Sequence, residues 1–393
     1  MNLFYALAAI GIVLAAWIAC RVLLGRAAKG LEQGLTQVKL GNYADAQAIY
    51  RRVLSIYAFL PGGHAQKTAA VLVPLGHLCI QLGKFAEAES HLLKAETILE
   101  KAYGAESAYV ADALVPLGWL QVQQGRFSCS EETLNRALRI YRQAKLPDRR
   151  KEASALSSLG WLYTQQGRYE SACPLLEAAV TMQESETRQS ADLGSMLNNL
   201  GWLYARQGRY AQAEAAFERV KAIYEKTLGG DHPRTAACLS PLGSLLAQQG
   251  RYAEAEQLLS AALRIDEAAL GPEHFHVAAT LTSLSWLYVR QEKYELAEPL
   301  LKRALAIAEK TMGKEHAFTG SVLNSLAQLY FFVGQCQAAE PLFVRAIAVR
   351  KGTLPEGHPD LLESLADYSR LLKATGRTEE ALQLIAGAAS NSV

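Results

Sequence analysis

A glycine recurs at a fixed interval through most of this 393-residue chain, and that beat limits what it can fold into. Gly41, Gly83, Gly125, Gly167, Gly208, Gly250, Gly334 and Gly376 step by 42 residues, or by 41 from Gly167 to Gly208. The missing beat falls on Glu292. Nine units follow this register, the first incomplete at its front. A fixed period of about 20–50 residues marks a solenoid or a propeller, in which one unit buries its apolar face against the next.

Inside a unit the apolar spacing is helical. Between Leu156 and Met182, residues Leu156, Leu159 and Tyr163 are spaced 3 and 4 apart and share one helical face. Gly167 closes that helix, where a residue free to adopt positive φ is needed. Tyr169 opens a second helix, on which Ala172, Leu176 and Ala179 again share a face. No stretch shows sustained strand alternation, so a propeller is disfavoured.

This pattern resembles the tetratricopeptide repeat (TPR). In that family's 34-residue frame, Leu stands at position 7, a small residue at 8, an aromatic at 11, Ala at 20, a large apolar residue at 24 and Ala at 27. One unit supplies Leu159, Gly160, Tyr163, Ala172, Leu176 and Ala179. The next supplies Leu200, Gly201, Tyr204, Ala213 and Phe217, with Val220 in place of the last Ala. Later units supply Leu284, Ser285, Tyr288, Ala297, Leu301 and Ala304, then Leu326, Ala327, Tyr330, Ala339, Phe343 and Ala346. Small residues let neighbouring helices approach, and large ones fill the gaps left between them. The longer period extends the second helix and its linker, seen as Ala222 to Arg234 and again in LGPEH, MGKEH and LPEGHP. That linker, with Ala-Glu-Pro-Leu at 297–300 and 339–342, is similar to the kinesin-light-chain subclass of the repeat. The resemblance covers residues 30–390. It implies fold more than function, because such arrays serve many pathways.

The N-terminus reads differently. Leu3 to Cys20 is an 18-residue run without a charge, at the low end for crossing a hydrocarbon core of about 30 Å. Arg21 can snorkel, which extends the span to Leu24, and Trp17 suits an interface. A cleaved signal would carry Lys or Arg ahead of the run, where only Met1 and Asn2 stand. A lipoprotein site at Cys20 lacks the small aliphatic residue expected three positions earlier. Both remain alternatives to an uncleaved anchor. Arg21, Arg26 and Lys29 follow the run, so the positive-inside rule places the repeat domain in the cytoplasm of a single-pass membrane protein. The expected fold is all-α: a right-handed α-solenoid of TPR helix pairs preceded by a single transmembrane helix. Residues 1–25 form the signal-anchor, 26–60 a partial first repeat and 61–390 an array of about eight repeats.

Composition narrows the function. With 40 Lys+Arg against 38 Asp+Glu, the chain has no basic excess for nucleic acid. The six cysteines show no pairing pattern and fit a reduced compartment. No phosphate loop, nucleophile elbow or zinc-protease motif is present, so no enzyme activity, cofactor or small-molecule substrate is expected. His232, His274, His316 and His358 recur once per unit. They are expected to cap or bond the linker, because residues spread along a solenoid do not converge on a metal ion.

The resemblance also implies a groove lined by the first helix of each unit. Position 9 reads His77, Trp119, Trp161, Trp202, Ser244, Trp286, Gln328 and Arg370, so four of the five tryptophans share one inward position. Two readings follow. Indoles offer large contact area and little rotamer entropy to lose, which suits a trough for a partner's peptide or amphipathic helix. Alternatively, they only fill the inner seam. Asn198 and Asn199 match positions 5 and 6, where kinesin-light-chain repeats bind cargo backbone; Asn324 matches position 5 alone. Pro74, Pro116 and Pro241 at position 6 cannot donate a hydrogen bond. Position 5 lacks Lys and position 9 lacks Asn, so a clamp for chaperone C-terminal carboxylates is not expected. Arg149, Arg150 and Lys151 are read as a solvated repeat linker. The last helix, from Thr378, leaves an apolar face uncapped. The expected function is a membrane-anchored scaffold or adaptor with a protein or peptide partner. A transient assembly factor for a membrane complex and a self-associating homo-oligomer are the alternatives.

Overall fold

The computed structural model describes residues 2–60, 64–144, 146 and 148–390, with side chains for all of these except 2–13, 15, 16, 385 and 387–390. Among the described residues the chain forms helices and no strand. Two compact units are distinguished, residues 1–117 and 118–393.

In the first unit α1 (Asn2–Lys39) packs on α2 (Tyr43–Phe59), α2 on α3 (Ala65–Gln81), and α3 on α4 (Phe85–Tyr103). α1 is one uninterrupted helix of 38 residues. Its last turns serve as the first helix of the opening repeat: Gly34 faces the Tyr50 ring, and a Cβ on Gly30 would lie 2.7 Å from Val53. The opening repeat is therefore complete at its front. The expected boundary between residues 25 and 26 falls inside α1. No helix of the described residues is long and apolar enough to cross a membrane. The expected span, residues 3–24, falls largely on 3–13, 15 and 16, whose side chains lie outside the described ones. Leu14, Trp17, Ile18 and Val22, which are described, are exposed.

α5 (Ala108–Gln123) carries the boundary between the two units. The second unit continues with α6 (Phe127–Gln143), α7 (Arg149–Gln165), α8 (Tyr169–Glu186), α9 (Ala191–Arg206), α10 (Tyr210–Thr227), α11 (Pro233–Gln248) and α12 (Tyr252–Leu270). It ends with α13 (Phe275–Arg290), α14 (Tyr294–Thr311), α15 (Ala317–Phe332), α16 (Cys336–Thr353), α17 (Pro359–Ala374) and α18 (Thr378–Ser390). From α6 onward each helix packs on the next in the chain. The odd-numbered helices from α7 to α17 also pack on one another, α7 on α9 and so on to α15 on α17. First helices that touch their successors form the inner wall of a curved stack.

The glycine beat acts as the spacing predicts. Each beat glycine has φ between 68° and 83°. Glu292, at the missing beat, has φ 60° and is the sole non-glycine residue with positive φ among the described residues. Its amide donates to Val289 and that of Lys293 to Tyr288, as Gly208 and Arg209 donate to Ala205 and Tyr204. The position-8 glycines allow close contact. A Cβ on Gly76, Gly118, Gly160, Gly201 or Gly243 would stand 2.5–2.8 Å from the large residue at position 24, namely Leu92, Leu134, Leu176, Phe217 or Leu259.

A polar ladder also links successive repeats. Tyr163, Tyr288 and Tyr330 donate to Glu131, Glu256 and Glu298 of the preceding repeat at 2.8–3.1 Å. The basic residue after the beat glycine reaches the same position: Arg168 to Glu131, Arg251 to Glu214 and Arg377 to Glu340. These pairs are partly exposed, so each contributes little by itself, but they recur in register. The basic stretch at 149–151 is also placed differently from expectation. It forms the first turn of α7, capped by Asp148, which accepts from the amides of Arg150 and Lys151.

Candidate functional site

The inner wall of the second unit carries the tryptophan stripe. Trp119 on α5 and Trp161 on α7 are stacked, with ring centroids 5.8 Å apart and planes at 27°. Trp202 on α9 meets the Phe217 ring edge-on at 6.2 Å. Trp286 on α13 lies under the Arg290 guanidinium, 5.2 Å from its centroid. It lines a shallow crevice with Val289, Leu301, Gln328, Leu329 and Phe332. All four indoles are half-buried. They therefore pack against neighbouring helices with one part of the ring and leave another part at the surface.

Two polar atoms on this wall lack a partner. Trp161 Nε1 and Asn198 Oδ1 are both turned from the surface and neither is hydrogen-bonded. An unmade bond at a buried polar group costs roughly 1–3 kcal/mol, so each side chain gains by rotating toward a ligand that supplies the partner. A peptide backbone offers both an acceptor for the indole N–H and a donor for the amide oxygen.

The other predicted asparagines are engaged within the fold. Asn199 is buried and donates to Ser157 Oγ on the preceding first helix at 3.1 Å. Asn324 is 3% exposed, donates to Asp367 Oδ2 at 2.9 Å and accepts from Ser364 Oγ at 2.8 Å. Asp367, 2% exposed, also takes Gln328 and Arg370. The polar C-terminal stretch of the wall is thus a network that pairs its own groups. The structure brings Trp119 and Trp161 together and commits Asn199 and Asn324 to α7–α9 and α15–α17 packing.

The four linker histidines are N-caps. The Nδ1 atoms of His232, His274, His316 and His358 accept the amides of Arg234, His276, Phe318 and Asp360 at 3.1–3.2 Å. One group gathers metal-ligating atoms among the described residues, and it contains none of these histidines: Cys79 on α3 with Glu87 and His91 on α4, all within 4.8 Å of one another. It does not suit a cation. Glu87 is already paired with Arg51 at 2.6 Å. Gln47 Nε2 donates to Cys79 Sγ, and Lys84 is bound to the same Gln47. Burial raises the Cys79 thiol, which disfavours the thiolate a metal needs.

The tetratricopeptide repeat profile matches residues 26–101, 67–143, 130–185, 192–268, 239–310, 289–352 and 318–386. No curated protein matches the chain. Among solved structures, it is similar to a Rap protein complexed with Competence and Sporulation Factor, at 14% identity and a TM-score of 0.59 over 86% of this chain and 99% of that one. It is similar to the APC/C hetero-tetramer Cut9–Hcn1 at 15% identity and 0.58, over 86% and 54%. It also resembles the nearly identical TPR-like repeats of a Podosopora anserina kinesin light chain at 27% identity and 0.40, over 53% and 99%. The Rap and Cut9–Hcn1 likenesses show the fold alone. The profile carries the family assignment, from residue 26 to residue 386: the chain belongs to the tetratricopeptide repeat family.

Proposed function

We propose that the inner wall of the second unit binds an extended peptide or amphipathic helix of a partner protein, and that the chain is a scaffold or adaptor. The observation that carries this reading is the stacked pair Trp119–Trp161, half-buried on the wall, together with the unpartnered Trp161 Nε1 and, on the next first helix, the unpartnered Asn198 Oδ1. A fixed aromatic pair offers contact area without ordering cost, and the two orphan groups match the donor and acceptor of a peptide bond. Structures of the same fold hold a Rap protein with Competence and Sporulation Factor and Cut9 with Hcn1. A protein or peptide ligand is the counterpart proposed here, with Trp119, Trp161, Trp202, Trp286 and Asn198 as its contacts. Asn199 and Asn324 act behind them by fixing the wall.

The membrane anchor is part of the proposal. It is supported by the uncharged run from Leu3 to Cys20 and by the basic residues that follow it, which favour a cytoplasmic repeat domain; the linkers and the two Ala-Glu-Pro-Leu stretches make that domain similar to the kinesin-light-chain type. Tethering raises the effective concentration of membrane-bound partners. The test is affinity capture from detergent-solubilised membranes, wild type beside Trp161→Ala/Trp202→Ala, after alkaline extraction shows which fraction holds the protein. A partner lost only in the variant supports the inner wall. Identical partner sets, or collapse of helical circular dichroism in the variant, would reduce the stripe to packing. Release by alkali would remove the anchor.

A further inference from the structure

Within the second unit, the N-terminal edges of α15 and α17 rest on the C-terminal edges of α5, α7 and α9. His316 Nε2 stands 2.7 Å from the carbonyl oxygen of Gln123, and His358 Nε2 stands 3.0 Å from that of Gln165, each across 193 residues of chain. Pro359 presses on Gly167, where a Cβ would lie 2.9 Å from its Cδ. Arg206 at the end of α9 is ion-paired with Asp360, and its Nε donates to Tyr169 Oη at 3.2 Å. Two equivalent contacts, one repeat apart, show a regular meeting of edges. The unit coils far enough for later repeats to touch earlier ones.

The gripped residues stand in a telling place. Gln123, Gln165 and Arg206 each lie four residues, about one helical turn, beyond Trp119, Trp161 and Trp202. The contact therefore holds the same three helices that carry the stripe, at the end next to the indoles.

Each histidine uses both ring nitrogens. Nδ1 accepts a backbone amide, from Phe318 or Asp360, at 3.1 Å and so carries no proton. Nε2 faces a carbonyl and must carry it. A second proton on Nδ1 would point at an N–H donor, so the arrangement exists only with a neutral ring. The carbonyl of Gln123, from α5, faces His316, and that of Gln165, from α7, faces His358. Around His358 the charges are Asp360 on α17, which favours protonation, and Arg206 on α9 and Arg350 on α16, which oppose it. Burial holds both rings below the ordinary histidine range.

We propose that these contacts form an acid-sensitive latch: neutral His316 and His358 keep the turn closed beside the tryptophans, and their protonation frees the edges and opens the inner wall. The inference rests on the inner-wall reading above, and its test needs no partner. The full chain in detergent micelles, with Trp17→Phe so that inner-wall indoles alone report, is quenched with acrylamide. Between neutral pH and roughly pH 5 the quenching constant is expected to rise about twofold. Amide exchange over residues 314–320 and 356–362, corrected for intrinsic rate, is expected to quicken by about tenfold. His316→Asn/His358→Asn keeps a capping side chain that does not titrate, and should remove the pH dependence of both readouts. Arg206→Gln should raise quenching already at neutral pH, with circular dichroism confirming the fold. Quenching that stays constant in the parent protein, or rises equally in the double variant, overturns the latch. If the latch behaves as stated but no partner is captured, the binding reading fails and the latch stands.

Discussion

Leu176 fills the space that Gly160 leaves: a Cβ on that glycine would stand 2.6 Å from Leu176 Cγ. Both residues are fully enclosed, so neither can yield. Gly160→Ala is expected to destabilise by about 1–2 kcal/mol, the overpacking cost exceeding the better helix propensity of Ala. Leu176→Ala alone should cost about 2–5 kcal/mol. The double variant should cost less than the sum, because the new methyl group enters the new cavity. Urea denaturation of the four proteins measures the coupling, and simple additivity would refute the contact.

Glu292 occupies the one repeat turn that lacks its glycine, at φ 60°. A side chain in the left-handed region costs about 1–2 kcal/mol, part of which glycine gives back through unfolded-chain entropy. Glu292→Gly is expected to stabilise by about 0.5–1 kcal/mol. A lower melting temperature would show that Glu292 makes a compensating contact.

Asp367 collects Asn324, Gln328 and Arg370 on one buried carboxylate. Asp367→Ala strands these groups and is expected to cost about 2–4 kcal/mol, far more than Ala at exposed Glu363 on the same helix. Comparable losses for the two substitutions would contradict the network.

Asp266 is enclosed, with Thr280 Oγ1 bonded to one oxygen at 3.1 Å and no partner on the other. Burial pushes its carboxyl up to about 7. A folded value above the unfolded one favours the protonated form in the fold. That stability is complete below about pH 4 and is lost as pH rises through about 7. Asp266→Asn should therefore be nearly neutral at low pH and stabilising by about 2–4 kcal/mol near pH 8. Thermal melts across that range check it, and a pH-independent difference would refute it.

Trp161 separates packing from recognition. Trp161→Phe removes the orphan indole N–H and keeps an aromatic surface, so stability should hold or rise slightly. If the wall binds peptide backbone, the same substitution should weaken partner capture by about tenfold, and Trp161→Ala/Trp202→Ala should abolish it. Full capture by the Phe variant would mean that the ring face, not the N–H, makes the contact.

Much of this fold can be read from one strand of letters because its contacts are local. The helix pairs, the glycine turns, the vacancy at Glu292 and the pairing of position 8 with position 24 all lie within a single repeat. The Tyr163–Glu131 ladder was within reach too, since a Tyr and a Glu recur 32 residues apart in three repeats. The fate of Asn324 was not, because it depends on Asp367 in the following repeat, where no other unit places an acid. Least legible was the meeting of His358 with Gln165. It arises from how much each repeat turns relative to the last, and small angular differences accumulate over several units.

The unbroken run of α1 has a mechanical consequence. The helix that begins at Asn2 ends as a packed member of the first repeat, so no hinge separates the apolar N-terminal turns from the face that Gly30 and Gly34 press on α2. The two ends are geared. One residue inserted near Gly25 would rotate the leading turns by about 100° against the repeat, whereas seven, close to two full turns, would nearly restore the phase. Whatever surface holds those leading turns thereby sets the azimuth of the first repeat.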